Sequence, residues 1–262
     1  MADLMKGKRG LIMGVANDRS IAWGIASVLA AEGAEMAFTY QGEGFGKRLR
    51  PLAESVGSSL VIPADVQDEA SLDAVFETLD KEWGNLDFLV HAIAYSDKEE
   101  LAGKYLDTTR KNFLNSLDIS CYSFVDVARR AAPLMKNGGS MITLTYMGSQ
   151  RVQPNYNVMG VAKAALESSV RYLANDLGPD GIRVNAVSPG PMKTLAGSAI
   201  GDARKVFRTI GENAPMRTNA TLEAVGGTAM YLMSDYGAYT TGEVIFVDGG
   251  YHVMGMLQSE NI

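Results

Sequence analysis

Short apolar runs alternate along the chain with stretches in which apolar residues recur at helical spacing. The runs cover residues 9–14, 34–40, 59–62, 86–91, 139–145, 182–187 and 242–247. Their brevity and the glycine or polar turns that bound them predict buried β-strands. Helical spacing covers 21–31, 46–56, 69–83, 109–135, 156–175 and 222–234. Ser20 before the first of these helices and Gly33 after it mark its two ends. Residues 97–108 are polar and contain Gly103, which predicts a surface excursion. The alternation predicts an α/β fold: a single domain built on one doubly wound parallel sheet of about seven strands, with helices on both faces.

Composition narrows the classes. The chain has 262 residues and a net charge of −6, which argues against nucleic-acid or membrane-surface binding. A lone cysteine, Cys121, excludes an internal disulfide and suits a reducing compartment. Two histidines and that cysteine are too few for a typical zinc site, so no metal is expected. The nearly uncharged run 21–31 is too short to span a bilayer, and the N-terminal stretch lacks a signal-peptide pattern; the expected location is the cytoplasm.

Candidate chemistry gathers after the fifth strand. Tyr156 and Lys163 lie seven residues apart at the start of a helix. That spacing places both on one face, about 10 Å apart along the axis. A phenol and an ammonium so placed can serve two points of one ligand. The ammonium is expected to favour the phenolate and so make Tyr156 the better acid. The first strand–helix turn carries Gly14, Ser20 and Gly24. Free N–H groups and the helix dipole would suit a phosphate there, although the three-glycine fingerprint is incomplete and a plain strand–helix turn is an equal reading of these residues. Gly24 is expected to allow close helix–strand packing. Strand two closes with Tyr40 and Gln41, neither acid nor base, while Lys47 and Arg48 either reach a 2′-phosphate or form a solvated face. His91, at a strand end, reads as a structural hydrogen-bonder rather than a base. Residues 197–210 turn from small to basic and read as a lid over a cleft.

Three motifs carry a family resemblance. The spacing Tyr146-x9-Tyr156-x6-Lys163, with Pro-Asn-Tyr-Asn-Val-Met-Gly over 154–160, resembles the bacterial enoyl-acyl-carrier-protein reductases, a divergent branch of the short-chain dehydrogenase/reductases. Ordinary members of that superfamily place the lysine four residues after the tyrosine, where this chain has Gly160. They also carry Asn-Asn-Ala-Gly where this chain has His91-Ala-Ile-Ala-Tyr95. Gly14-x5-Ser20-Ile21-Ala22-x-Gly24 is similar to the enoyl-reductase turn, and the likeness extends over about residues 6–250.

The resemblance implies a Rossmann-like fold and NADH-dependent reduction of an enoyl thioester carried on acyl carrier protein, within fatty acid elongation, by a homotetramer. NADPH is the less favoured cofactor. It implies that Gly14, Ser20 and Ile21 line the pyrophosphate. Gln41 selects NADH, Asp65 and Val66 meet adenine, and Ile93 packs beside the adenosine ribose. Lys163 holds the nicotinamide ribose, and Met192, Lys193, Thr194, Leu195 and Ala196 wrap the nicotinamide end. Tyr156 becomes the donor to the substrate oxyanion and Ser96 a neighbour of the thioester. Tyr146 lies nearer the acyl chain as proton donor or pocket wall. Tyr95, Met159, Ile200 and Phe207 are candidates to line an acyl tunnel. Residues 192–210 form the substrate loop, and Arg204, Lys205 and Arg208, with Lys193 nearby, make a positive patch suited to an acidic carrier. The rivals are an alcohol or ketone dehydrogenase on the same fold and a nucleotide sensor without turnover.

Overall fold

The computed structural model of the protein describes residues 3–195, 197 and 202–261. Its strands are β1 (Arg9–Met13), β2 (Glu35–Tyr40), β3 (Val61–Pro63), β4 (Phe88–His91), β5 (Gly139–Leu144), β6 (Ile182–Pro189) and β7 (Val244–Val247). All neighbours pair in parallel, in the order β3-β2-β1-β4-β5-β6-β7. The helices are α1 (Ile21–Ala31), α2 (Glu43–Ser55), α3 (Glu69–Trp83), α4 (Lys98–Leu101), α5 (Arg110–Leu117), α6 (Ser123–Ala131), α7 (Asn157–Leu177), α8 (Ala203–Asn213) and α9 (Leu222–Met233).

Strand side chains alternate between two apolar layers. Leu11, Met13, Leu89, Met141 and Val184 face one layer, with Leu72 and Val75 of α3, Phe124 and Val127 of α6, and Leu166 and Val170 of α7. Ile12, Phe38, Phe88, Val90 and Ile142 face the other, with Ile25 and Leu29 of α1, Leu49 of α2, and Val225 and Leu232 of α9. Burial on both faces is why the strands read as continuous apolar runs. Each such fully buried large side chain contributes roughly 1.5–3 kcal/mol. The strand order reverses between β1 and β4; in doubly wound sheets ligands bind beyond the carboxyl ends of the strands at such a switch point.

Local chemistry accounts for the departures from expectation. Instead of one helix over 109–135, α5 and α6 are joined by a π turn, Asp118–Tyr122, and the end tightens into a 3-10 turn at Ala132–Leu134, which contains Pro133. The π turn carries Ser120, whose hydroxyl lies 2.9 Å from the Tyr95 N–H and 3.0 Å from its carbonyl, so the extra residue locks the helix to the segment after β4. Helix α2 starts at Glu43, before the expected residue 46, because Gly42 (φ 72) turns the chain and Arg50 binds both Glu43 and Tyr40. Gly24 packs against a helix rather than a strand: a Cβ there would lie 2.7 Å from Leu222 Cβ of α9. Within 197–210, read as a lid, residues 203–210 are helical and belong to α8, which bears Arg204, Lys205 and Arg208. Among the described residues no helix is long and apolar enough to cross a membrane.

Candidate active site

The turn after β1 is shaped for close approach. Gly14 has φ +97, and a Cβ there would stand 2.1 Å from the Ala92 carbonyl oxygen after β4. Ser20 does not cap α1 with its side chain; its hydroxyl accepts from the N–H groups of Ala16 and Asn17 at 3.0 and 3.1 Å, fixing the turn. No acidic side chain occupies the first turn of α1, which leaves its N–H groups and dipole turned toward an anion. Ile21 packs its side chain on the α1 side of the core.

The adenosine end is set by β2 and β3. Gln41 Nε2 donates to Asp65 Oδ2 at 3.0 Å, so the two predicted residues meet across adjacent strand ends. Asp65 also accepts the Gln67 N–H, whereas Asp68 caps α3 through the Ala70 N–H. Lys47 and Arg48 are exposed, in keeping with a solvated helix face. Val66 and Ile93 are partly buried against the α3–α6–α7 layer.

Tyr156 stands at the N-cap of α7 between two left-handed residues, Asn155 (φ 61) and Asn157 (φ 34). Positive φ is costly for most residues and is tolerated best by asparagine after glycine. The Asn157 side chain donates to the Glu100 carbonyl at 3.2 Å, which ties α4 to the start of α7. The Tyr156 ring is buried among Leu101, Val158 and Met159. Tyr146 meets it edge-on, with ring centroids 5.1 Å apart at 69°. The turn after Tyr146 presses on the same ring: a Cβ on Gly148 would lie 2.5 Å from Tyr156 Cδ1, and one on Gly160 would lie 2.7 Å from the Gly148 carbonyl oxygen.

Burial dominates the electrostatics. It pushes the Tyr156 phenol well above the ordinary tyrosine range, with smaller contributions from Tyr146 and Glu167. The expected acidification by Lys163 is therefore not what the structure shows; loss of water around the phenolate raises the phenol instead. Tyr146 is likewise pushed up to about 12, by burial first and then by Tyr251 and Asp248. Lys163 is buried and held down at about 8 by desolvation, against which Cys121 and Glu167 act. Its Nζ donates to the Leu144 carbonyl at 2.8 Å, which aims the ammonium at the end of β5. Beneath it His91 is fully buried, 3.1 Å from Thr143 Oγ1 and 2.9 Å from Ser123 Oγ, and desolvation and then Lys163 depress it to about 3. It is a neutral structural group, as its place in the sequence suggests.

Other predicted residues lie around this centre. Ser96 Oγ sits in a network with Ser116 Oγ (2.9 Å) and the Asn112 amide, which belongs to a buried side chain. Tyr95 is half exposed and its hydroxyl donates to Asp97. Met192 packs on the α1 side of the core, and Thr194 Oγ1 accepts the Gly197 N–H at 2.9 Å. Leu195 is half exposed. The Lys193 ammonium lies 4.7 Å from the Phe207 ring centroid, a cation–π contact that joins the two. Ala196 and Ile200 lie outside the described residues. Gly148 and Glu167 carried no signal in the sequence; only the fold brings them to the tyrosines.

These residues fit a dinucleotide on structural grounds. The turn after β1 runs so close to the segment after β4 that Gly14 has no room for a Cβ, and the first turn of α1 carries no acid. At the carboxyl end of β6, the buried Ser188 hydroxyl has no partner among the described residues.

Residues 14–252 match the family model described as enoyl-(acyl carrier protein) reductase. The chain is 60% identical to an enoyl-[acyl-carrier-protein] reductase [NADH] of Rhizobium meliloti, over 98% of this chain and 96% of the relative. It is 53% identical to that of Rickettsia bellii, over 96% of each. The crystal structure of the Anaplasma phagocytophilum reductase, in complex with NAD, superposes with a TM-score of 0.95 at 58% identity, covering 97% of both chains. By the extent of the family match and the identity to these relatives over nearly their whole length, the chain belongs to the enoyl-(acyl carrier protein) reductase family.

Proposed function

We propose that this chain is an NADH-dependent oxidoreductase that reduces the trans-2 double bond of an enoyl thioester on acyl carrier protein, in fatty acid elongation. The observation that carries the proposal is the buried Tyr156 phenol, kept neutral and packed beside Tyr146, on the helix that also presents Lys163. Reduced nicotinamide, when bound, supplies a hydride to the substrate β-carbon. Negative charge then develops on the thioester oxygen. Tyr156, a neutral O–H in a site of low dielectric, donates to that oxygen and stabilises the transition state. Lys163 holds the nicotinamide ribose with the N–H groups not given to Leu144, and is mostly protonated at neutral pH. Tyr146 bounds the acyl side of the pocket, and its raised pKa keeps it protonated too.

Gly14, Ser20 and Ile21 receive the pyrophosphate; Gln41, Asp65, Val66 and Ile93 receive the adenosine. The Asp65 carboxylate beside Gln41 repels a 2′-phosphate, which supports NADH over NADPH. Residues 192–210 act as the substrate loop of a single catalytic domain. The exposed cations Arg204, Lys205 and Arg208 of α8, close to Lys193, receive the acidic carrier. The cytoplasm and a homotetrameric assembly complete the proposal, both on the family likeness. The test is NADH oxidation with a crotonyl thioester, then with ketones, then with NADPH. Turnover of the thioester alone, fastest with NADH, is expected. Tight NADH binding without turnover, or ketone reduction, would overturn the assignment.

A further inference from the structure

Glu167 is a buried carboxylate to which the chemistry above gives no task. It lies on α7 one turn beyond Lys163, 5% exposed. Among the described residues it makes no ion pair. Its Oε1 accepts from Thr145 Oγ1 at 2.7 Å and Ser149 Oγ at 2.5 Å, and its Oε2 from Gln150 Nε2 at 3.3 Å. A carboxylate taken out of water is costly unless several donors hold it. Here all three donors come from one short stretch, and that stretch contains Tyr146.

We propose that Glu167 is a positioning residue of the reduction: by gripping Thr145, Ser149 and Gln150 together, it fixes the turn that presents Tyr146 to the substrate. The geometry leaves Tyr146 little freedom. Thr145 is held on one side of it, and Ser149 and Gln150 on the other, while its own carbonyl accepts the Ser149 N–H at 2.9 Å. The same turn lays Gly148 against the Tyr156 ring. One helix therefore carries Tyr156 and also the carboxylate that sets the position of its aromatic partner. An amide of the same shape lacks the charge and offers a weaker acceptor to each hydroxyl. The negative charge also favours the protonated form of Lys163, four residues earlier.

The inference rests on the role given to Tyr146 above, and a double-mutant cycle separates the two. Steady-state kinetics with crotonyl thioester, normalised to active sites by NADH titration, are compared for Glu167→Gln, Ser149→Ala, Tyr146→Ala and the paired variants. Glu167→Gln is expected to lower kcat/KM about tenfold, with the same division between kcat and KM as Tyr146→Ala. In the Tyr146→Ala background it should add less than about twofold. Effects that multiply, or an unchanged kcat/KM for Glu167→Gln, would overturn the inference while leaving Tyr146 in place. A Tyr146→Ala enzyme as active as the parent would remove the role of Tyr146 and the inference with it. Should Glu167→Gln not fold, Ser149→Ala deletes one contact of the same grip and carries the cycle with the same outcomes.

Discussion

Gly148 gives the sharpest check on how the tyrosine pair is held. Alanine there would place a methyl carbon 2.5 Å from Tyr156 Cδ1 and 2.8 Å from Cε1. Carbon atoms rest at about 3.5–4.0 Å, so the ring must retreat by roughly 1 Å. It has little room, because Leu101, Val158 and Met159 are packed in the same cluster and Tyr146 meets its edge. The backbone is not the obstacle, since Gly148 has no left-handed φ. A misplacement of ~1 Å at a reacting group costs on the order of 100-fold in rate. Overpacking of this kind costs about 1–3 kcal/mol of stability, or roughly 5 °C in Tm. The expected Gly148→Ala enzyme thus binds NADH normally by fluorescence titration, while its kcat/KM for crotonyl thioester falls about 100-fold. Gly44→Ala is the control, because a Cβ at that position meets nothing within 4 Å. A Gly148→Ala enzyme with unchanged kcat/KM and Tm would refute the idea that this contact sets the phenol.

Three further outcomes follow from charge. Lys163 is depressed from 10.5 to about 8 on folding, so the destabilisation it causes is full below pH 8 and fades as pH rises toward 10.5. Thermal melts should show the Tm of Lys163→Met, relative to the parent, declining between pH 8 and pH 10; a difference independent of pH would contradict the burial of that ammonium. His91 is depressed from 6.5 to about 3, so the stability it contributes is present above pH 6.5 and is lost as pH falls toward 3. Replacing it with Gln should flatten the acid side of the stability profile by a few kcal/mol, and an unaltered profile in urea titrations would count against it. Reversing Arg204 and Lys205 to Glu should raise KM for carrier-linked substrate at low salt and spare a small thioester; equal effects on both would exclude α8 as the docking surface.

Much of this architecture is legible in the sequence because burial on both faces writes each strand as an apolar run. Helices α1 and α3 fall at the expected residues, where Ser20, Gly33 and Asp68 supply end signals. The π turn at Asp118–Tyr122 is illegible, since Ser120 breaks the helical register only to meet Tyr95, which no periodicity reveals. The spacing of Tyr156 and Lys163 is visible in the chain, yet their ionisation is not. Local reasoning weighs an ammonium against a phenol, whereas the folded site is governed by how little water reaches either. Glu167 and Gly148 escape notice for a similar reason: a glutamate within a helix and a glycine in a turn are ordinary until three-dimensional contact gives them neighbours.

The two asparagines beside Tyr156 have one more implication. Their side chains are polar, but what the positions demand first is handedness: the main chain swings to positive φ on either side of the phenol. At residue 155 glycine would meet that demand with less strain, and a β-branched residue would meet it poorly. At residue 157 glycine would satisfy the torsion and still release α4, because the hydrogen bond from the side-chain amide to the Glu100 carbonyl would vanish. Engineering the mouth of this site therefore starts from a backbone that admits few spellings. The Asn-Tyr-Asn triplet records a path of the chain as much as a choice of chemistry.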